Sequence, residues 1–252
     1  MKNILCGLVT FLTFALLSAA AWAEDPEGPW SGTVAAGYLA SSGNTDTNAW
    51  NFAAEGKYDI DRWHHTLAGF AIGGSENDSG TSESYKLRYD VKYDLNEKTY
   101  IFGDAEYNKD RFSAYDQQLF ETVGVGYRFI RNDKHELNGQ VGIGATQSDF
   151  RDAKATDPLP IDARFGTSQN EVVYTLGGDY TWTISETSSF TQLLTTKIGS
   201  DNTYTESVTA LRAKVLEQMA VVFSYTIKQN SDVPVGSDKK DTYTAISLEY
   251  GF

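Results

Sequence analysis

The sequence predicts an all-β fold: a transmembrane antiparallel up-and-down β-barrel of about 12 strands with both termini periplasmic. Three observations lead there. At the carboxyl end, Tyr243 to Phe252 reads YTAISLEYGF, so Ile246, Leu248, Tyr250 and Phe252 share one face of an extended segment. Ala245, Ser247, Glu249 and Gly251 share the other. An aromatic ending the apolar face of a closing strand resembles the signal read by the outer-membrane barrel assembly machinery. At the amino end, Lys2 is a short basic region, Ile4 to Leu17 an apolar one, and Ala21-Trp22-Ala23 a small-x-small cleavage site. Together these predict a cleaved signal peptide over residues 1–23 and a single barrel domain over 24–252. Beyond Ala23 no apolar run approaches the length of a membrane helix, while segments of period two follow one another to the end.

Twelve such segments can be placed, at 30 to 40, 47 to 59, 63 to 74, 83 to 95, 99 to 109, 117 to 130, 135 to 147, 169 to 183, 189 to 199, 203 to 215, 219 to 229 and 241 to 252. The second sets Trp50, Phe52, Ala54, Tyr58 and Ile60 against Asn51, Glu55, Lys57 and Asp59. The third is ambiguous. The fourth is the clearest, with Tyr85, Leu87, Tyr89, Val91, Tyr93 and Leu95 alternating with Ser84, Lys86, Arg88, Asp90, Lys92 and Asp94. One face suits lipid and the other water. The same alternation turns inward Asp104 and Glu106 on the fifth segment, Arg128 on the sixth and Asp179 on the eighth. The ninth is ambiguous. Arg212 and Lys214 on the tenth, Lys228 on the eleventh and Glu249 on the twelfth complete the predicted lumen charges.

The connections alternate in length. Tight ones fall at Ile60 to Arg62, Asn96 to Lys98, Arg131 to Lys134, Ser185 to Ser188 and Leu216 to Gln218. Between them lie Ser41 to Asp46, Ser75 to Ser82, Asp110 to Asp116, Ser148 to Ser168, Ser200 to Asn202 and Asn230 to Lys240. Outer-membrane barrels have short periplasmic turns and longer outer loops, and an even strand count returns both ends to the periplasm. Aromatic residues near the strand ends, among them Tyr38, Trp63, Tyr100, Tyr127 and Trp182, are read as interfacial girdles, with lumen packing open for several. The longest loop, Ser148 to Ser168, suits a flap, a hairpin extension or a lid over the lumen.

Composition agrees. The chain carries 5 Trp, 15 Tyr, 13 Phe and 22 Gly against 5 Pro and 2 Met. Its formal charge is −13, and loss of Lys2 with the signal makes it more negative, which argues against a nucleic-acid partner. Cys6, the one cysteine, falls in the predicted signal, so disulfides, thiolate catalysis and cysteine metal sites are not expected.

Catalytic motifs are missing. No phosphate loop, HExxH or EF-hand spacing occurs. His64, His65 and His135 each follow a short turn, which places them at the periplasmic rim, where hydrogen bonds to turn carbonyls or interfacial water explain them. Loop carboxylates Glu76, Asp78, Glu83, Asp110, Asp116, Asp149, Asp152, Asp157, Asp162, Asp232, Asp238 and Asp241 invite a divalent-ion reading, but solvated acidic loops explain them more simply. No cofactor and no metal is therefore expected. A lumen bearing both signs of charge has two readings: the charges line a pore, or they pair across it and close it.

Several stretches also resemble one family. Trp30-Ser-Gly, Ser42-Gly-Asn-Thr45, Arg62-Trp-His-His-Thr66, Phe102 to Asp116 (FGDAEYNKDRFSAYD) and Ser224 to Asp232 (SYTIKQNSD) are similar to the salt-induced outer membrane proteins, a bacterial family of unknown biochemical function also called domain of unknown function 481. The resemblance implies an outer-membrane barrel and supplies no catalytic residues. The function expected is therefore a structural or stress-related outer-membrane protein with a narrow charged lumen, in contact with lipid and lipopolysaccharide. The alternatives are a small-solute or ion channel and, less favoured, an outer-membrane hydrolase.

Overall fold

The structure, a computed structural model, describes residues 28–41, 47–77 and 79–252. The predicted signal, the Ser42-Gly-Asn-Thr45 turn and Asp78 lie outside the described residues. Twelve strands follow in order: β1 (Trp30–Ser41), β2 (Thr47–Ile60), β3 (Trp63–Glu76), β4 (Ser79–Asp94), β5 (Thr99–Asp110), β6 (Tyr115–Arg131), β7 (His135–Phe150), β8 (Ser168–Ser185), β9 (Ser188–Ile198), β10 (Thr203–Lys214), β11 (Met219–Asn230) and β12 (Lys240–Gly251). Each pairs antiparallel with its neighbours in chain order, and β12 returns to β1, so the sheet closes with no free edge. The seam pairs Thr33 with Gly251 and Ala36 with Leu248. It ends in a reciprocal backbone pair: Phe252 N–H donates to Gly32 O at 3.0 Å and Gly32 N–H to Phe252 O at 2.9 Å.

Burial is inverted relative to a soluble protein. On β6 Leu119, Val123, Val125, Tyr127 and Phe129 are exposed, while the alternate Gln118, Phe120 and Thr122 are buried. On β4 Tyr85, Leu87 and Tyr89 face out, and Ser84 and Asp90 face in. An apolar outer wall around a polar interior is what lipid outside and a closed sheet require.

Aromatic rings collect at the end bearing the tight turns. Trp30 and Tyr58 lie 4.5 Å apart, Trp63 and Tyr93 4.8 Å, and Tyr127 and Phe129 5.1 Å, centroid to centroid. This is the turn end, and the opposite one is the loop end. At the loop end Ala114, Tyr115, Phe150 and Val233 form a small apolar cluster. It joins the start of the 151–167 connection to the 231–239 connection.

Two expectations are corrected. Ser75 to Ser82 is not a loop: β3 runs to Glu76 and β4 starts at Ser79, with a register shift at Gly74/Ser75. Its Ser, Gly and Thr residues lack the apolar alternation that marks a strand, yet they complete the same ladder. Tyr100 is not a girdle residue, being 1 % exposed. It points inward over Gly126, where an added Cβ would sit 2.1 Å from the Tyr100 ring, and Phe102 similarly covers Gly124 and Gly142. Position near a strand end was right for an interface, but the face was set by β5 parity and by the glycine floor on β6 and β7.

Candidate functional site

The charged residues of the interior form two tiers. In the loop-end tier, Lys86 on β4 reaches Glu206 on β10, with Nζ 2.5 Å from Oε1 and 2.6 Å from Oε2. These strands lie six apart in a ring of twelve, so the pair joins opposite walls. Lys86 Nζ is also 3.6 Å from Glu106 on β5. Lys197 on β9 lies 3.7 Å from Glu106 and 3.9 Å from Asp104, and its Nζ sits 3.8 Å from the centre of the Phe120 ring.

Further contacts cross at the same end. Phe120 of β6 stacks on Tyr204 of β10 at 5.2 Å, and the Tyr204 hydroxyl donates to Glu206 at 2.7 Å. Lys228 of β11 donates to Ser84 of β4 at 3.3 Å, and Tyr243 of β12 donates to Asp110 of β5. Long charged side chains leave water only where partners replace it, and here each carboxylate meets a cation or a hydroxyl.

The turn-end tier is wetter. Arg88 holds Asp104 at 2.7 Å and faces Asp90 at 3.7 Å, and Lys92 lies 3.7 Å from Asp90. Arg128 holds Asp94 at 2.6 Å. His64 bridges two acids, Nδ1 at 2.7 Å from Asp59 and Nε2 at 3.1 Å from Asp94. Arg212 meets Glu249 at 2.6 Å, and Asn138 donates to Asp179 at 2.7 Å. Glu55 and Lys57 pair at 2.9 Å with side chains 39 and 47 % exposed. Lys214, last on β10, is exposed and has no ion pair among the described residues.

A cap covers the loop end. Arg151 binds Asp157 bidentately at 2.7 and 2.9 Å and donates to Ser237 at 3.2 Å. Arg164 binds Asp162 at 2.9 Å, joins Asp232, and donates to Val233 O at 2.9 Å. Val235 N–H donates to Asp162 at 3.1 Å. The Arg151 side chain and the Lys154 N–H hold the Asp157 carboxyl down to about 2, and the Arg164 side chain with two backbone N–H groups holds Asp162 well below the usual carboxylate range.

The family model described as protein of unknown function, DUF481, matches residues 34–252. The chain belongs to that family. The uncharacterized protein YdiY of Escherichia coli (strain K12) is 29% identical over 253 residues, covering 94% of this chain and 92% of YdiY. An outer membrane channel from Pseudomonas putida F1 is similar in fold, with TM-score 0.52 and 12% identity over 90% of this chain and 97% of that one. The NanC porin is similar at TM-score 0.47 and 12% identity, over 88% of this chain and 97% of that one. Family, closed barrel and lipid-facing wall make this DUF481 chain an outer-membrane β-barrel.

Sequence parity assigned the faces of the charged residues but missed members of the crossing tier. Lys197 lies on the ambiguous ninth segment. Glu206 lies on β10, whose outer face carries Thr205, Ser207 and Thr209, so the two faces differ little in polarity. Its shared parity with Arg212 was the signal available.

All three histidines lie at the turn end. His65 Nδ1 is 2.8 Å from the Tyr89 hydroxyl and His135 Nδ1 is 2.8 Å from that of Tyr180, both on the outer wall among girdle rings. Of the loop carboxylates, Glu83 pairs with Arg111, Asp116 with Lys109, and Asp157, Asp162 and Asp232 with the cap arginines. Among the described residues no group of three or more His, Cys, Asp or Glu is placed to hold a metal ion.

Proposed function

We propose that this protein is a structural, stress-related outer-membrane barrel whose narrow charged lumen is closed to solutes in its resting state. The observation that carries the reading is the Lys86–Glu206 contact between opposite walls. A barrel of about twelve strands lies between those that side chains fill and those that leave an aqueous channel, so such a crossing decides its bore. The Phe120–Tyr204 stack and Lys197 support the same constriction. The orientation proposed puts both termini and the tight turns in the periplasm and the Arg151–Asp157 and Arg164–Asp232 cap on the outer side, against lipopolysaccharide. Residues 1–23 would be removed on export, and Ile246, Leu248, Tyr250 and Phe252 would be read by the assembly machinery.

A small-solute or ion channel is the second reading. It is favoured by the water-exposed Glu55 and Lys57 at the turn end. Conductance of the purified protein in planar bilayers tests both. The closed reading expects no reproducible steps above background from the native chain and steps from the Lys86→Ala/Glu206→Ala variant. Reproducible steps from the native chain overturn it in favour of the channel.

A further inference from the structure

The outer wall carries a carboxylate where lipid is expected. Glu121 lies on β6 between Leu119 and Val123, exposed on the same face, and has no hydrogen bond or ion pair among the described residues. Its cross-strand neighbours are Ala105 on β5 and Ala145 on β7, and with Gly103 they leave a shallow notch around it. It stands six residues above Tyr127 of the turn-end girdle. At about 3.3 Å per residue and a tilt near 40°, that is about 15 Å into an apolar band about 25 Å tall. It also lies about 10 Å below Gln117, whose amide and the Tyr107 hydroxyl mark the loop-end polar boundary. A glutamate side chain cannot span that gap. Left in hydrocarbon, the group is unsatisfied.

A second polar feature lies three to four strands further round the wall. On the outer face of β9 and β10, Gln192 donates to Ser207 at 3.0 Å, Thr209 donates to Gln192 at 2.6 Å, and Thr196 and Thr205 lie 3.3 Å apart. Thr205 stands six residues above Leu211, which pairs with the girdle-level Phe190, so the hydroxyls reach the height of Glu121. In these contacts the Ser207 hydroxyl only accepts, so its proton is free to be donated outward. One wall lacks donors and the other holds them.

We propose that these two walls meet between neighbouring copies of this chain: Glu121 in its small-residue notch accepts hydrogen bonds from the Ser207 and Thr205 hydroxyls of the next copy. Small residues let two walls approach closely in a membrane, where hydrogen bonds and packing replace the hydrophobic drive. Because the two patches are different surfaces, the contact is heterologous and builds rings or chains rather than a two-fold dimer.

Cross-linking in outer-membrane fractions tests this. With Cys6→Ser in place, a chain bearing both Ala145→Cys and Leu194→Cys, the latter the exposed cross-strand neighbour of Ser207, is expected to give a ladder of oligomers with a short bis-maleimide, and either cysteine alone to give none. Adding Glu121→Leu, a substitution lipid tolerates, should lower the ladder about fivefold, and Glu121→Gln should retain most of it. Dimers from Ala145→Cys alone, no ladder from the double-cysteine chain, or a ladder indifferent to Glu121→Leu in folded protein each overturn the proposal.

Discussion

Lys86 and Glu206 lie on opposite walls of a twelve-strand barrel, yet their side chains meet at 2.5 Å. Both are largely withdrawn from solvent, with side chains 16 and 7 % exposed. Removing one member leaves the other charge buried without its main partner, which costs about 3 to 5 kcal/mol, whereas replacing both by apolar groups is often near neutral.

Urea unfolding in detergent should therefore find Lys86→Met strongly destabilised and Lys86→Met/Glu206→Leu closer to the native chain. Glu106 lies 3.6 Å from Lys86 and Lys197 a further 3.7 Å from Glu106, so part of the loss will persist in the double variant. Strict additivity of the Lys86→Met and Glu206→Leu effects would sink the claim that the two groups are coupled.

Alternation exposes a strand's face but says nothing of what stands across the barrel, which is why the fold was more legible than the site. β4 could be read outright because Tyr85 to Leu95 contrast with Lys86 to Asp94 at every step. β10 could not, since Glu206 and Arg212 share their face with Val208 and Ala210 while the outer face bears hydroxyls. Partner choice in the interior depends on diameter and strand stagger, quantities set by the closed ladder and not by any local pattern. The same limit hid Tyr100, whose inward face depends on glycines one strand away.

Gly126 gives a steric test of that packing. An added Cβ would lie 2.1 Å from Cζ and 2.4 Å from the hydroxyl of Tyr100, so Gly126→Val forces the ring off its floor. Overpacking of this kind costs about 1 to 3 kcal/mol. Denaturation midpoints should fall for Gly126→Val and recover in part when Tyr100→Ala supplies the space. A Gly126→Val variant as stable as the native protein would show that the Tyr100 ring relocates freely.

The cap makes a pH prediction. Folding holds the Asp157 carboxyl at about 2 and Asp162 lower than usual, whereas unfolded aspartate titrates near about 3.9. A depressed folded value means that the contribution is complete above the unfolded value and lost as pH falls through the folded one. Trypsin cleavage after Lys239, in the connection that Arg164 clamps, should be slow and constant from pH 8 down to the enzyme's working limit, and fast in Arg164→Ala. Hydrogen exchange of 231–239 should rise only below about pH 4. Loosening between pH 7 and 5 would assign the cap to other groups.

The seam offers the last test. Phe252 and Gly32 exchange two backbone hydrogen bonds, and the Phe252 ring lies so close that a Cβ on Gly32 would come within 2.8 Å of it. Phe252→Ala keeps both backbone bonds and removes only the ring. If the ring serves chiefly as seam packing, refolding from urea into detergent and assembly in cells should weaken together. If it is chiefly the feature that assembly machinery reads, the purified variant should refold with near-native yield while the heat-modifiable folded band in outer-membrane fractions falls severalfold. The second pattern is expected, because the backbone pair that closes the seam survives the substitution, whereas the ring, 41 % exposed on the outer wall, is only part-buried against it. Normal outer-membrane yield of Phe252→Ala would remove this residue from the assembly signal and leave Ile246, Leu248 and Tyr250 to carry it.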